Sequence, residues 1–230
     1  MSWLSKGVTA VFPIKVAYNE YKYLVSPGNL ENVIFTLDAM AKGTDPYPDG
    51  VVESCYYDSL SLDSLTQCKD GSARKVKFRI RRYDGSSFGQ IQVKSKNLYG
   101  VGKIKCNLPS WDIYPDWYSV LEQAKPGEAD NLKAFSSTHS PRYPVVNVRY
   151  RRRRYQFLGY RITLDSNIEA FPYIGLRARK SFALLPYSIL EIKSESSVPI
   201  LPAMLKERVA YGSFSKYAYL ARTLLGEEHL

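Results

Sequence analysis

Lys75, Lys77, Arg79 and Arg81 occupy alternate positions of "KVKFRIRRY", with Val76, Phe78 and Ile80 between them. Successive side chains of a β-strand point to opposite faces, so from Lys75 to Arg81 one face is cationic and the other apolar. The same split recurs along the chain. One parity collects Glu20 and Lys22; Gln92, Lys94 and Lys96; Arg161, Thr163 and Asp165; Glu191 and Lys193. The other collects Tyr21, Tyr23 and Val25; Ile91 and Val93; Ile162 and Leu164; Leu190 and Ile192.

Period-two patterning predicts strands over 19–25, 51–58, 74–83, 90–97, 144–157, 160–165 and 189–194. "YDGSS" after Tyr83 and "FLGY" around Gly159 are hairpin signals, which makes the flanking strands antiparallel neighbours. Helical spacing appears in "SPGNLENVIFTLDAMAKG", where Asn29 is the expected cap and Leu30, Val33, Ile34 and Leu37 form a stripe. It appears again in "PDWYSVLEQAK" and "ADNLKAFSS", and in "PAMLKERVAYGSFSKYAYLARTLLG" with a break near Gly212. "PGEAD" and "STHSPRY" are the expected flexible connections, and His139 and His229 are expected at the surface. The expectation is one α+β domain over residues 1–230.

Thirty-two Lys and Arg against 22 Asp and Glu leave a net charge of +10, which points to an anionic partner. Nucleic acid, membrane phosphate and polyphosphate all qualify. The 19 tyrosines suit stacking on bases, and equally suit β-strands with one wet end. No RNA-binding motif accompanies them. Cys55, Cys68 and Cys106 are odd in number and lack a C-x-x-C pair, so neither a disulfide framework nor a zinc site is indicated. A cytoplasmic setting is expected, with no bilayer-spanning run and no signal-peptide pattern in "MSWLSKGVTAVFPIK".

Two architectures satisfy the parity split. An open sheet leaves a solvated cationic face; a closed antiparallel barrel turns that face inward around a polar lumen, with the helices packed on the outside. A lumen of lysine and arginine requires counter-charge, because buried like charges repel and are costly to desolvate. A slender polyanion supplies it, whereas duplex nucleic acid is too wide for so small a barrel. In "YRRRRYQ" both parities carry arginine, and parity alone does not say which points inward.

The segments "EYKYLVSPGNLE", "SCYYDSLSLD", "KFRIRRYDG", "VKSK", "YPVVNVRYRRRRYQF", "YRITLDSNI", "LPYSILEIK" and "FSKY", in this order, resemble the VTC domain. This is the polyphosphate polymerase domain of the vacuolar transporter chaperone family, within the triphosphate tunnel metalloenzyme superfamily. The likeness covers nearly the whole chain, in a stand-alone form without regulatory or membrane domains. It implies a closed barrel that takes a nucleoside triphosphate and passes its terminal phosphate to a growing polyphosphate chain.

Carried over by position, the resemblance makes Lys22, Arg79, Arg81, Lys94, Arg161 and Lys216 phosphate ligands, and selects Arg152 from the ambiguous run. Lys69, Lys96, Lys103 and Ser215 join the phosphate-binding set, and Lys22, Arg79, Arg81, Arg161 and Glu191 are the expected catalytic group. Glu191 is the implied ligand for Mn²⁺ or Mg²⁺, with Glu20 as a second. Lys75 and Lys77 are expected at the tunnel mouth.

Two departures bear on activity: Gln92 stands where many members have glutamate, and Tyr18 where they have a charged residue. Triphosphatases and cyclases of the superfamily carry more carboxylates, so the balance favours polymerisation over hydrolysis. A non-catalytic polyphosphate-binding accessory protein and a triphosphatase are the alternatives. Nucleic acid is not an expected partner, and any membrane partner is a separate chain.

Overall fold

The structure, a computed structural model, describes residues 19–98, 100–114, 116–124, 127, 129–173, 176–195 and 201–227. Tyr18 and His229 lie outside them. The strands are β1 (Asn19–Val25), β2 (Asp49–Asp58), β3 (Lys75–Tyr83), β4 (Gly89–Asn97), β5 (Gly100–Leu108), β6 (Tyr143–Phe157), β7 (Tyr160–Pro172), β8 (Ala183–Leu184), β9 (Ser188–Ser194) and β10 (Val209–Tyr211). The helices are α1 (Leu30–Ala41), α2 (Asp63–Lys69), α3 (Trp117–Glu122), α4 (Asp130–Ser136), α5 (Ala203–Lys206) and α6 (Lys216–Leu225).

The seven expected strands all form, and both hairpins are antiparallel: β3 pairs with β4, and β6 with β7. At the second hairpin Leu158 and Gly159 both take positive φ, 47° and 76°, a conformation for which glycine has little steric cost. β5, β8, β10 and the short α2 lack a clean periodic signature. β10 falls inside the expected third helical region, which is instead a helix, a strand and a second helix. The "STHSPRY" connection is anchored, since its Arg142 is buried and paired with Asp58.

One antiparallel sheet runs β10-β1-β9-β7-β6-β2-β3-β4-β5, with β8 on β7. Among the described residues no backbone pairing joins β5 to β10, so hydrogen bonds do not close the barrel. The sheet nevertheless curls until its two halves meet through side chains. Lys94 on β4 lies 3.3 Å from Glu20 on β1, although five strands separate them in the sheet, and Lys77 on β3 reaches Ser215 at 2.9 Å. The concave face is therefore the cationic one.

On the convex side, Phe78, Ile80, Ile91 and Val93 pack beneath α3 and α4 through Trp117, Leu121 and Leu132. Ile162, Leu164, Leu190 and Ile192 pack beneath α1 through Val33 and Leu37. Burial of each such aliphatic side chain contributes roughly 1.5–3 kcal/mol. The outer placement thus holds for α1, α3 and α4.

The C-terminal helix departs from it. Tyr217, Leu220, Ala221 and Leu224 of α6 pack on Val52, Tyr56, Val148, Ile168 and Ala170. Tyr56 accepts a hydrogen bond from Arg79, so α6 lies on the cationic side of the sheet and fills part of the lumen. A bulge makes this possible. Register slips between Arg149 and Arg151, and Asn167 takes a φ of 51°, so the parity of β7 reverses. Before the bulge the inner residues are Arg161, Thr163 and Asp165; beyond it they are Ile168 and Ala170, which suit an apolar helix face.

Asp58 anchors this inner layer. Fully buried, it accepts from the backbone N–H groups of Ser59, Ser64 and Leu65, from Arg142 at 2.8 Å and from the Tyr217 hydroxyl at 2.6 Å. The Asp58→Ala substitution removes the counter-charge of a buried arginine and is expected to cost about 3–5 kcal/mol. Urea unfolding of the two proteins measures the loss, and a midpoint equal to that of the unaltered chain would refute the anchoring role.

Candidate phosphate-binding tunnel

β3 lines the lumen along its whole length. Its alternation turns Lys75, Lys77, Arg79, Arg81 and Tyr83 inward, a row of about 27 Å at 3.4 Å per residue. Arg79 donates from Nε and Nη2 to Gln92 Oε1 at 3.1 and 2.7 Å, and from Nη1 to the Tyr56 hydroxyl at 3.1 Å. Arg81, only 6% exposed, donates to Ser54 Oγ at 2.8 Å and to the Tyr150 hydroxyl at 3.0 Å. The partners of both arginines are neutral groups, so their positive charge is held without a carboxylate in contact. A glutamate at position 92 would cancel that of Arg79; Gln92 orients the guanidinium and leaves its charge intact.

Opposite them stand two carboxylates and three lysines. Glu20 contacts Lys22 at 2.8 Å, Lys94 at 3.3 Å and Lys193 at 3.3 Å, while Glu191 contacts Lys193 at 3.1 Å and Lys22 at 4.0 Å. Burial alone would raise both carboxyls, but the surrounding lysines hold Glu20 well below the usual carboxylate range and Glu191 below it too. Both are ionised. Asp165, fully buried, is a third carboxylate: it takes both arms of Arg152 at 2.6 and 2.7 Å and Lys216 at 2.6 Å. Despite its burial, Arg152 and Lys216 push its carboxyl far down.

Cations outnumber these carboxylates, and the surplus is visible on Lys103. Partial desolvation, then Arg79, Lys105, Arg81 and Lys193, bring its amine down to about 6. Tyr56 registers the same field with the opposite sign: burial opposes it, but Arg79, Arg81 and Lys77 draw the phenol down to about 8. A ring stack ties Tyr56 to the inner helix, since it lies flat on Tyr217 with ring centroids 4.9 Å apart.

The expected set is thus largely brought together. Lys22, Arg79, Arg81, Lys94, Arg152, Glu20, Glu191 and Lys216 share one chamber through the contacts above, Lys103 on β5 is exposed and feels the charges of Arg79 and Arg81, and Ser215 joins them as the N-cap of α6. Lys77, expected at the mouth, instead reaches Ser215 within the chamber. Arg161 and Lys96 are exposed on their strands, Arg161 in register with Lys193 and Lys96 with Lys75.

Lys69 does not join them. It sits in the last turn of α2, 3.7 Å from Glu227, beyond the far end of α6 and about 15 Å along that helix from Lys216. His139 is half-buried outside the tunnel against Phe78 and Phe135. Asp165, Lys193, Tyr56 and Tyr150 were not singled out from sequence as site residues. Parity already put Asp165 and Lys193 on the inner face, but their pairing partners come from other strands.

The donor set bears on a metal. Among the described residues no three His, Cys, Asp or Glu side chains gather. Glu20 and Glu191 are close enough for the charge of one to raise the other, and both are ionised. Thr163, in register with Glu191 and buried, has a hydroxyl without a hydrogen-bond partner among the described residues. One or two carboxylates with phosphate oxygens and water suit Mg²⁺ or Mn²⁺, so these residues fit a metal that a substrate helps to bind.

Comparison with known proteins agrees with the geometry. No curated protein matches this sequence. Among solved structures, a candidate adenylyl cyclase from Hippeastrum, described as having a dominant triphosphatase activity, aligns over 93% of this chain and 100% of its own, with 18% identity and a TM-score of 0.56. A candidate adenylate cyclase from Bacillus halodurans covers 93% and 92% of the two chains at 13% identity and a TM-score of 0.49. A Pyrococcus horikoshii protein covers 89% and 99% at 13% identity and a TM-score of 0.47. The family model of the VTC domain matches residues 17–224, and the chain belongs to that family, with the tunnel fold of the triphosphate tunnel metalloenzymes.

Proposed function

We propose that this chain is a polyphosphate polymerase that moves the terminal phosphate of a nucleoside triphosphate, ATP in the simplest case, onto an inorganic polyphosphate chain. Membership of the VTC family supports an enzyme of the tunnel class that binds triphosphates. The observation that carries the finer reading is the chamber's surplus of cations over carboxylates. Arg79 and Arg81 have only neutral partners, and the carboxylates present are each engaged by lysine or arginine.

Phosphoryl transfer depends on positioning and on charge stabilisation. A polyphosphate terminus is already ionised near neutral pH, so transfer to it needs no general base. The obstacle is repulsion between an anionic acceptor and an anionic donor, which Arg79, Arg81, Lys22, Lys94 and Lys103 relieve. Arginine grips two oxygens at once, and lysine adjusts as a point charge. Glu191, with Glu20, would hold Mg²⁺ or Mn²⁺, whose role when bound is to neutralise charge on the phosphate oxygens. Lys22 and Lys193, which contact both carboxylates, keep them deprotonated for that purpose.

Incubation with ATP and Mn²⁺, with and without a short phosphate primer, followed by gel analysis of chain length, is expected to show polymer growth. Release of single phosphates would instead establish a triphosphatase. Intact ATP together with retained polyphosphate binding would establish an accessory protein.

Glu191→Gln is expected to reduce metal-dependent turnover by at least about a hundredfold, in line with loss of a metal ligand or its immediate support. Unchanged turnover rejects Glu191 as ligand.

Lys103 also predicts a proton balance. The residue is exposed on β5, yet partial desolvation and then Arg79, Lys105, Arg81 and Lys193 draw its amine down, to about 6, so part of it is neutral near pH 7 in the free protein. A bound polyphosphate restores its charge, so binding takes up a proton and weakens as pH rises through 6 and above. Calorimetry at pH 7 in buffers of different ionisation enthalpy is expected to report net proton uptake, diminished in Lys103→Met. Proton release on binding would contradict the assignment.

A further inference from the structure

The two ends of the inner β3 row differ in chemistry. Lysines occupy one end, where α6 also fills part of the lumen; Tyr83 ends the other, 37% exposed. Arg81 flanks Tyr83 with a side-chain hydrogen bond, and the Arg154 guanidinium lies 5.7 Å from its ring centroid. Arg154 is only 7% exposed. Its Nη1 donates to the Tyr47 carbonyl at 2.9 Å, and Asp45 on the same loop is near enough to favour its charge.

Three further features meet there. The Tyr47 ring is 74% exposed on the loop that holds Arg154. Thr163, whose buried hydroxyl is without a partner, is in register with Arg154. A hollow of about 340 Å³ lined by Gln90, Lys105, Cys106 and Asn107 adjoins Arg81 through the Arg81–Gln90 pair.

Phosphate alone does not explain this end. A triphosphate reaches Arg79, Arg81 and Lys94 without an exposed phenol ring, whereas exposed tyrosine rings offer faces on which a base stacks. Gln90 and Asn107 add amide donors and acceptors of the kind that meet base edges. We propose that Tyr83, backed by the buried Arg154 and with Tyr47 on the neighbouring loop, forms a platform for the base of a nucleoside triphosphate whose phosphates extend inward along Arg81 and Arg79. The inference rests on the reading of the lumen as a triphosphate site and assigns the end by which the nucleotide enters.

Isothermal titration of the full chain with ATP, ribose 5-triphosphate and inorganic tripolyphosphate tests it. The unaltered protein is expected to bind ATP about tenfold more tightly than ribose 5-triphosphate, the scale of one base on an aromatic ring. Tyr83→Leu is expected to remove that advantage while tripolyphosphate binding stays within about twofold. Tyr83→Trp, which keeps a stacking face, is expected to retain it. Equal binding of ATP and ribose 5-triphosphate by the unaltered protein overturns the platform without involving any variant. So does a Tyr83→Leu loss equal for ATP and tripolyphosphate, which would make Tyr83 a support of Arg81 alone. Tripolyphosphate binding by the unaltered chain reports separately on the lumen, so failure there falls on the triphosphate reading itself.

Discussion

Glu20 holds the tunnel together. Its two oxygens meet Lys22 on its own strand, Lys193 on the neighbouring β9 and Lys94 on β4, from which five intervening strands separate it in the sheet. No backbone ladder among the described residues closes the curl, and the Lys94–Glu20 ion pair joins its two halves through side chains instead. The side chains of these pairs are 22–41% exposed, so each pair alone is modest, and their effect lies in three ammonium groups sharing one carboxylate. They also bring opposing lysines close enough to share one anion.

The same contacts set the chemistry. Three carboxylates restrain the lysines and arginines that would otherwise repel one another, and each is engaged by two or three cations. Arg79 and Arg81 lie outside this compensation, held by Gln92, Tyr56, Ser54 and Tyr150. Neutral partners fix the direction of a guanidinium without spending its charge. The unbalanced field that lowers Lys103 and Tyr56 is the field a polyanion would neutralise.

The inner helix shows how a local irregularity alters a global surface. One bulge in β7 turns the inner face from charged to apolar, and α6 takes the apolar part. Its N-terminal residues then meet the charged part, where Ser215 accepts from Lys77 and Lys216 pairs with Asp165. The lumen is consequently a chamber with one side filled by a helix and one end rimmed by Tyr83, which Arg154 backs.

The amino-acid sequence by itself determined seven of the strands, two hairpins and, outside the arginine run of β6, the face on which their charges stand, because a strand's period of two is a local property of the backbone. It also carried the family likeness, and with it most of the chamber residues. Lys69 shows the limit of alignment by order alone: neighbouring in sequence to the right segment, it pairs with Glu227 away from the chamber. Only the tertiary structure decided that Lys77 lies inside, that Asp165 is the counter-charge of Arg152 and Lys216, and that α6 occupies the concave side. Those outcomes depend on curvature, on a single bulge and on contacts between distant strands, and none of these leaves a periodic trace in a linear chain.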